Sequence, residues 1–478
     1  MTTELRVSRF GSVRALAPIW FEGERFDSVA LEALARAHAA RLAGIGVVAG
    51  DRVAVWAATG PRLLAAVVAH LRLGVVHVPV NTRYAPDEVA YIVADAGARV
   101  CLTTLEAAPA PDDFCWPDAP AGEALALIVY TSGTTAKPKG VVWRHDTLAE
   151  NLAAVMTLWE VTAGDVVSLA LPLFHVHGLG LGVLGAWLLQ GAQVRLHRRF
   201  EPRLLADDCR AGATFFLGVP TMYHGLVAHF AAVPEDADAC RAARLFTAGS
   251  AALSDALFEG FRTWTGHAIL ERYGMTETGF TLSNPYRGER RRGSVGRPVP
   301  GFAVRLVDDD GRVIEGGDET GEIWVAGAAL MTEYWNLPEA TGAAFQADGG
   351  ARWFRTGDVA TRDRDGYFHI VGRRSTDIVK SGGFKIGTRE IEDVLATDPR
   401  VREIAVIGVP DAKWGEALMA VVVLSDGVVV ESDATFLEEL RALVAAHLAD
   451  FKRPRALKIV DALPRNALGK VQKSLLVG

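Results

Sequence analysis

Cysteine is scarce in this chain. Only Cys101, Cys115, Cys209 and Cys240 occur among 478 residues. No two have C-x-x-C spacing, which excludes the common zinc and thiol-redox motifs. Four in so long a chain make no disulfide framework, and a reducing, cytoplasmic setting is expected. Positive charge is not in excess either: 50 Lys and Arg stand against 57 Asp and Glu, a net charge of −7. A nucleic-acid binder resting on a broad basic face is thereby excluded. Residues 1–10 contain no apolar run of signal-peptide type, so no secretion signal is expected. Residues 166–194 lack charge altogether, over more than the roughly 20 residues that cross a bilayer. They also contain Pro172, His175, His177, Gln190 and five glycines, so a buried α/β segment is expected there and no membrane partner. No repeat of solenoid length is present.

Glycine, in contrast, is abundant. The count of 48 is about 10%, against an average near 7%. In a chain half apolar, this implies many sharp turns or close backbone approaches rather than disorder. The length suggests about three structural units. Helical spacing over 28–45 and 63–73 alternates with apolar runs at 53–56, 75–80, 126–130, 215–219 and 244–247. That alternation predicts an α/β fold with largely parallel sheets. Residues 107–122, rich in Ala, Pro and Asp, predict a connecting loop. From about residue 295, short strands at 304–307, 322–325 and 367–371 are separated by Asp- and Gly-rich turns, the texture of an antiparallel β unit. The last hundred residues read as a small α+β unit. The expected organisation is a large N-terminal region, 1–373, of α/β sheets plus the β unit, and a small mobile C-terminal α+β domain, 374–478.

Residues 130–140 read Tyr-Thr-Ser-Gly-Thr-Thr-Ala-Lys-Pro-Lys-Gly. Phosphate oxygens need several converging N–H and O–H donors, and small hydroxyl residues with glycine leave the backbone open to supply them. Lys137 and Lys139 add charge. The spacing is not that of a Walker A loop, because no Gly-Lys-Ser/Thr closes it. A plain polar turn is the alternative.

This segment resembles the phosphate loop of the adenylate-forming superfamily, which includes acyl-CoA synthetases, luciferases and peptide-synthetase adenylation domains. Ala136 stands where that family usually has Gly. Further resemblances follow in the family's order. Glu271-Arg-Tyr-Gly-Met-Thr-Glu-Thr278 is similar to the adenine segment, Arg355-Thr-Gly-Asp358 to the ribose motif, and Gly372-Arg373 with Lys380-Ser-Gly-Gly-Phe-Lys-Ile-Gly387 to the hinge and thiol-tunnel loop. Pro464-Arg-Asn-Ala-Leu-Gly-Lys470 is similar to the loop carrying the adenylation lysine.

The resemblance implies two half-reactions. A carboxylate attacks the α-phosphate of ATP to give an acyl-adenylate and pyrophosphate; a thiol, usually of coenzyme A, then displaces AMP. Bringing two anions together makes the first step a matter of charge neutralisation and positioning. The family's roles carry over as follows. Thr131, Ser132, Gly133, Thr134, Thr135, Lys137 and Lys139 cradle the departing phosphates. Glu277 holds Mg2+, a hard cation suited to oxygen ligands; Thr276 bonds the α-phosphate and Tyr273 lies against adenine. Gly249, Ser250, Ala251, Glu271, Arg272, Gly274 and Met275 complete the nucleotide site. Asp358, an acceptor for paired ribose hydroxyls, is assisted by Arg373. Lys470 neutralises the reacting oxygens. The small domain is expected to rotate about Arg374-Ser375, with Lys380, Ser381, Gly382 and Gly383 lining the coenzyme A tunnel.

Two features need separate treatment. Gly180-Leu-Gly182-Val-Leu-Gly185 satisfies the dinucleotide pattern G-x-G-x-x-G, but the pattern means a dehydrogenase only at a strand-to-helix turn. His175 and His177, two apart, share a face if they lie on a strand. The acid is suggested by Leu171-Pro-Leu-Phe-His-Val-His-Gly-Leu179, Gly218-Val-Pro-Thr-Met-Tyr-His224, Gly249-Ser-Ala-Ala-Leu253 and Ser283-Asn-Pro-Tyr-Arg-Gly-Glu-Arg290, all similar to malonyl-CoA synthetases. That resemblance implies a short dicarboxylate, with Arg290 holding its second carboxylate and His175, Ser250 and Met275 around the acid. A guanidinium suits a carboxylate because its donors are paired. A monocarboxylate acid, or loading of a carrier protein, is the alternative.

Overall fold

The computed structural model describes residues 7–13, 15–131, 137–315, 317–373, 377–381, 384–411, 414–465 and 471–476, with main chain only at Asp318, Lys380, Phe384, Lys385 and Gly415. The chain divides into two compact units. The first comprises 1–304 and 325–354, the second 305–324 and 355–478. The strands Ala303–Val307, Gly317–Ala326 and Ala351–Arg362 are each cut by this division.

The first unit contains two large sheets. One has nine strands, with a parallel centre formed by Val166–Leu169, Phe215–Gly218, Leu245–Ala248 and Leu270–Met275. The other has six and is built on Arg52–Val55, Val76–Pro79 and Leu125–Thr131. The central strands are buried on both faces, which is why they read as unbroken apolar runs. Helices Ser28–Gly44 and Pro61–Leu73 lie at the predicted positions. Among them runs a chain of buried histidines: His38 Nε2 is 3.1 Å from His70 Nε2, and His70 Nδ1 is 2.9 Å from His77 Nδ1. Burial holds His38 down to about 4 and His77 to about 3, and His70 well below its ordinary value.

The charge-free stretch corrects one expectation. His177–Leu189 is a π-helical segment with i→i+5 bonding, buried along nearly all its length. His175 and His177 therefore do not share a strand face: His177 opens the helix and His175 lies in the turn before it. Gly180 to Gly185 fall inside this helix rather than at a strand-to-helix turn, so the dinucleotide reading has no structural basis. Among the described residues no helix is long and apolar enough to cross a membrane.

In the second unit, Ile378–Ser381, Phe384–Gly387, Val401–Asp411, Gly415–Leu424 and Ala456–Ile459 form one sheet. Helices Thr388–Leu395 and Asp433–His447 bury Ile391, Leu395, Phe436, Leu440 and Val444 against it.

Candidate active site

The centre of the first unit is a tight turn between strands Leu270–Met275 and Gly279–Ser283. Their register shifts between Tyr273 and Gly274. A Cβ at Gly274 would stand 1.9 Å from Gly279 O, and Gly279 has φ +63°. Only glycine permits this closeness at one end and this handedness at the other. The turn therefore presents Thr276 and Glu277 in a fixed pose. Asn151, on the helix His145–Leu158, locks it: its Nδ2 donates to Thr278 O and Ala329 O at 2.9 Å, and its Oδ1 accepts from Phe280 N at 3.0 Å. Trp143 Nε1 donates to Thr276 O at 2.9 Å. Glu277 is buried, its Oε1 accepts from Tyr334 Oη at 3.0 Å, and its main-chain O accepts from Met331 N.

Beside this turn, Leu125–Thr131 pairs with Lys139–Arg144, placing Thr131 opposite Lys139. The ammonium of Lys139 lies 5.2 Å from the ring centroid of Tyr334, and that of Lys137 5.4 Å from Tyr91. Tyr334 thus touches both a loop lysine and the carboxylate expected to hold a metal. Ser132, Gly133, Thr134 and Thr135, like Ala136, lie outside the described residues.

The strand Leu245–Ala248 leads into Gly249, Ser250 and Ala251. Ser250 adopts φ +69°, rare for a side-chain-bearing residue. Its Oγ is 3.2 Å from His177 Nδ1. A Cβ at Gly249 would stand 2.5 Å from Arg272 Cζ, so glycine seats that guanidinium against the backbone. Alternation along the strand sends Arg272 to the opposite face from Tyr273. Burial pulls His175 down to about 4, and its ring packs 4.8 Å from Phe174. His177 is lower still, through burial, then Arg272, then His175. Both imidazoles are neutral at pH 7.

Other expected residues make local contacts. Glu271 Oε1 accepts from Gly293 N at 3.2 Å, holding the loop that follows. Arg290 donates through Nη1 to Ala268 O at 2.8 Å and through Nη2 to Tyr286 O at 3.1 Å. Met275 N donates weakly to Thr278 Oγ1 within the turn.

In the second unit, Asp358 and Arg373 face each other across paired strands. Arg373 Nε donates to Asp358 Oδ1 at 2.8 Å, and Asp358 N donates to Thr356 Oγ1. The pair expected from sequence is therefore in contact. Arg373 N also donates to Asp377 Oδ2 at 2.9 Å. Ser381 is buried, and its Oγ has no hydrogen-bond partner among the described residues. Ser375, Gly382, Gly383 and Lys470 lie outside the described residues, as does the side chain of Lys380. Lys452 Nζ donates to Glu390 Oε2 at 2.6 Å.

Sequence reasoning missed Tyr334, Trp143 and Asn151. Each lies far from the motif it supports, and none carries a local signal. No group of three His, Cys, Asp or Glu able to hold a metal exists among the described residues. A single carboxylate such as Glu277 still fits Mg2+, which commonly takes one or two carboxylates and completes its shell with phosphate and water.

The family model of the AMP-binding enzymes matches residues 5–114 and 106–335, and that of the AMP-binding enzyme C-terminal domain matches 390–470. A malonate–CoA ligase of Arabidopsis thaliana is 40% identical over 73% of this chain and 60% of its own length. The mitochondrial malonate–CoA ligase of Homo sapiens is 33% identical over 90% of this chain and 84% of its own. A feruloyl-CoA synthase of Amycolatopsis sp is 36% identical over 90% and 89%. Among solved structures, ATP-bound MatB from Rhodopseudomonas palustris superposes with TM-score 0.86 at 34% identity, covering 98% of both chains. A malonyl-CoA ligase ternary product complex with methylmalonyl-CoA and AMP gives TM-score 0.67 at 42% identity, over 94% of this chain and 97% of that one.

Proposed function

The chain belongs to the AMP-binding, adenylate-forming family as an AMP-forming acid–thiol ligase, and on that premise we propose that its acid is a short dicarboxylate such as malonate or methylmalonate. The observation that carries this reading is the likeness, along almost the whole of both chains, to MatB.

In the proposed reaction the carboxylate attacks the α-phosphate of ATP, pyrophosphate leaves, and coenzyme A displaces AMP. The residues 131–139 receive the departing phosphates, Thr276 steadies the α-phosphate, and Lys470 neutralises the α-phosphate and carboxylate oxygens as phosphorus becomes pentacoordinate. Glu277 would hold Mg2+, which when bound would supply further positive charge for the phosphates. Tyr334 aims the Glu277 carboxylate, because the phenol fixes one oxygen. Tyr273 lies on adenine, and Asp358, oriented by Arg373, takes the ribose hydroxyls. Lys380, Ser381, Gly382 and Gly383 line the thiol path, and the part of the chain after Ser375 moves between the two steps. Domain limits of 1–373 and 374–478 belong to this proposal, as does a cytoplasmic setting, which the four unpaired cysteines support. The feruloyl-CoA synthase relative favours a second reading, the same chemistry on a monocarboxylate.

AMP release across a panel of acids, with and without coenzyme A, tests the proposal. Malonate should give AMP and malonyl-CoA in equal amounts, and butyrate should turn over at least tenfold less efficiently. Equal efficiency on the two acids overturns the dicarboxylate reading.

A further inference from the structure

Lysine is rarely enclosed in a fold, because its ammonium is strongly hydrated. Lys473 is an exception: only 12% of its side chain is exposed. An ammonium has three donors, and here each has an acceptor. Nζ meets Asp377 Oδ1 at 2.8 Å, Glu392 Oε1 at 2.7 Å and Thr388 Oγ1 at 2.7 Å. Burial works against the ammonium, yet the two carboxylates outweigh it and hold the lysine above its ordinary value. Both carboxylates are themselves fixed. Glu392, on the helix Thr388–Leu395, also accepts from Val406 N at 2.7 Å. The second oxygen of Asp377 accepts from Arg373 N at 2.9 Å, and Asp377 N donates to Arg373 O at 2.7 Å. A desolvated ion cluster adds little net stability; what this one does is bring distant segments into register. Those segments carry the chemistry. Lys473 follows Lys470 by three positions. The segment 466–470 is closed at its base by the bridge between Arg465 and Val471 and by Gln472 N donating to Pro464 O at 2.8 Å. Lys473 ties down the outgoing chain directly after that base. Its partner Asp377 is bonded in turn to Arg373, whose guanidinium holds the Asp358 carboxylate.

We propose that Lys473 is a positioning residue for adenylation: clasped between Asp377 and Glu392, it fixes the outgoing end of the Lys470 segment and sets its register against Arg373 and Asp358. The inference rests on the role given to Lys470 above. The bond from Arg373 N to Asp377 spans the expected hinge at Arg374-Ser375, so rotation about that hinge parts it. Asp377, Glu392 and Lys473 all lie beyond the hinge and stay together. The clasp therefore travels with the Lys470 segment, and its effect belongs to the step that uses that lysine.

The two half-reactions separate positioning from folding, measured on the full-length enzyme, its Lys473→Arg, Lys473→Met and Lys470→Ala variants, and the double variant of the last two. Lys473→Met should lower kcat for malonate-dependent pyrophosphate exchange about 30-fold or more, with KM for ATP and malonate within about twofold, because the contact serves the transition state. Thioester formation from supplied malonyl-adenylate should stay within about twofold of the wild type. Lys473→Arg, which keeps the charge, should recover part of the exchange. In the Lys470→Ala background Lys473→Met should add no further loss, since it acts through that lysine. Glu392→Gln keeps an acceptor for Val406 N and removes one charge. It should show the same pattern with a smaller loss, and it carries the comparison if Lys473→Met does not fold. Wild-type exchange in Lys473→Met, equal losses in both half-reactions, or a further loss in the double variant overturns the assignment. A Lys470→Ala enzyme that keeps wild-type exchange, or a wild type without malonate-dependent exchange, overturns the reading beneath it instead.

Discussion

Tyr334 shows how a single side chain completes a motif that the sequence spells only in part. The contiguous letters of Tyr273, Gly274, Thr276 and Glu277 were legible because the family places them side by side. Tyr334 was not, since it reaches Glu277 from 57 positions away through folding alone. A hydrogen bond to a charged group contributes about 1.5–3 kcal/mol. Tyr334→Phe should therefore reduce pyrophosphate exchange about tenfold or more, with the deficit partly relieved at high Mg2+. Exchange that matches the wild type at every Mg2+ concentration would show that the phenol does not aim the carboxylate.

At the level of elements, the strands and amphipathic helices followed from their periodicity, and the segment after His175 did not. Residues 177–189 are apolar all round, so their spacing carries no phase, and no pattern distinguishes a π-helix from a buried strand. The turn at 274–279 was legible as glycine but not as a clamp. Gly274→Ala would bring a methyl group into Gly279 O, and adenylation should fall by orders of magnitude while the unfolding midpoint drops only a few degrees; full activity would contradict the turn's role. The histidine chain joins two helices and the strand Val76–Pro79. All three rings titrate lower in the fold than near 6.5 in the unfolded chain. Below that value the unfolded chain takes up protons that the native state refuses, so stability falls with pH. Each ring contributes about 1.4 kcal/mol per pH unit over its window. The unfolding free energy should be level above pH 7 and drop steadily from 6.5 toward 4. A flat profile between pH 7 and 5 would contradict neutral burial.

For the whole molecule, the α/β character of the large region and the α+β character of the small one were legible from residue order. The division found in the structure was not, because 305–324 joins the second unit from far upstream in the chain. The change of texture near residue 295 marks the β unit, but the contacts that join 305–324 to 355–478 form only on folding and leave no signal in the sequence. The two-step scheme predicts that Lys470→Ala blocks adenylation and spares thioester formation from supplied malonyl-adenylate. Loss of both steps would assign that lysine to folding instead. The central claim is selection of a short dicarboxylate by an AMP-forming ligase. It is tested most directly by the ratio of kcat/KM for malonate to that for butyrate in the wild-type enzyme, with ATP and coenzyme A saturating. The account predicts a ratio of at least ten with malonyl-CoA as the thioester formed. A ratio near one, or AMP without thioester, would contradict it.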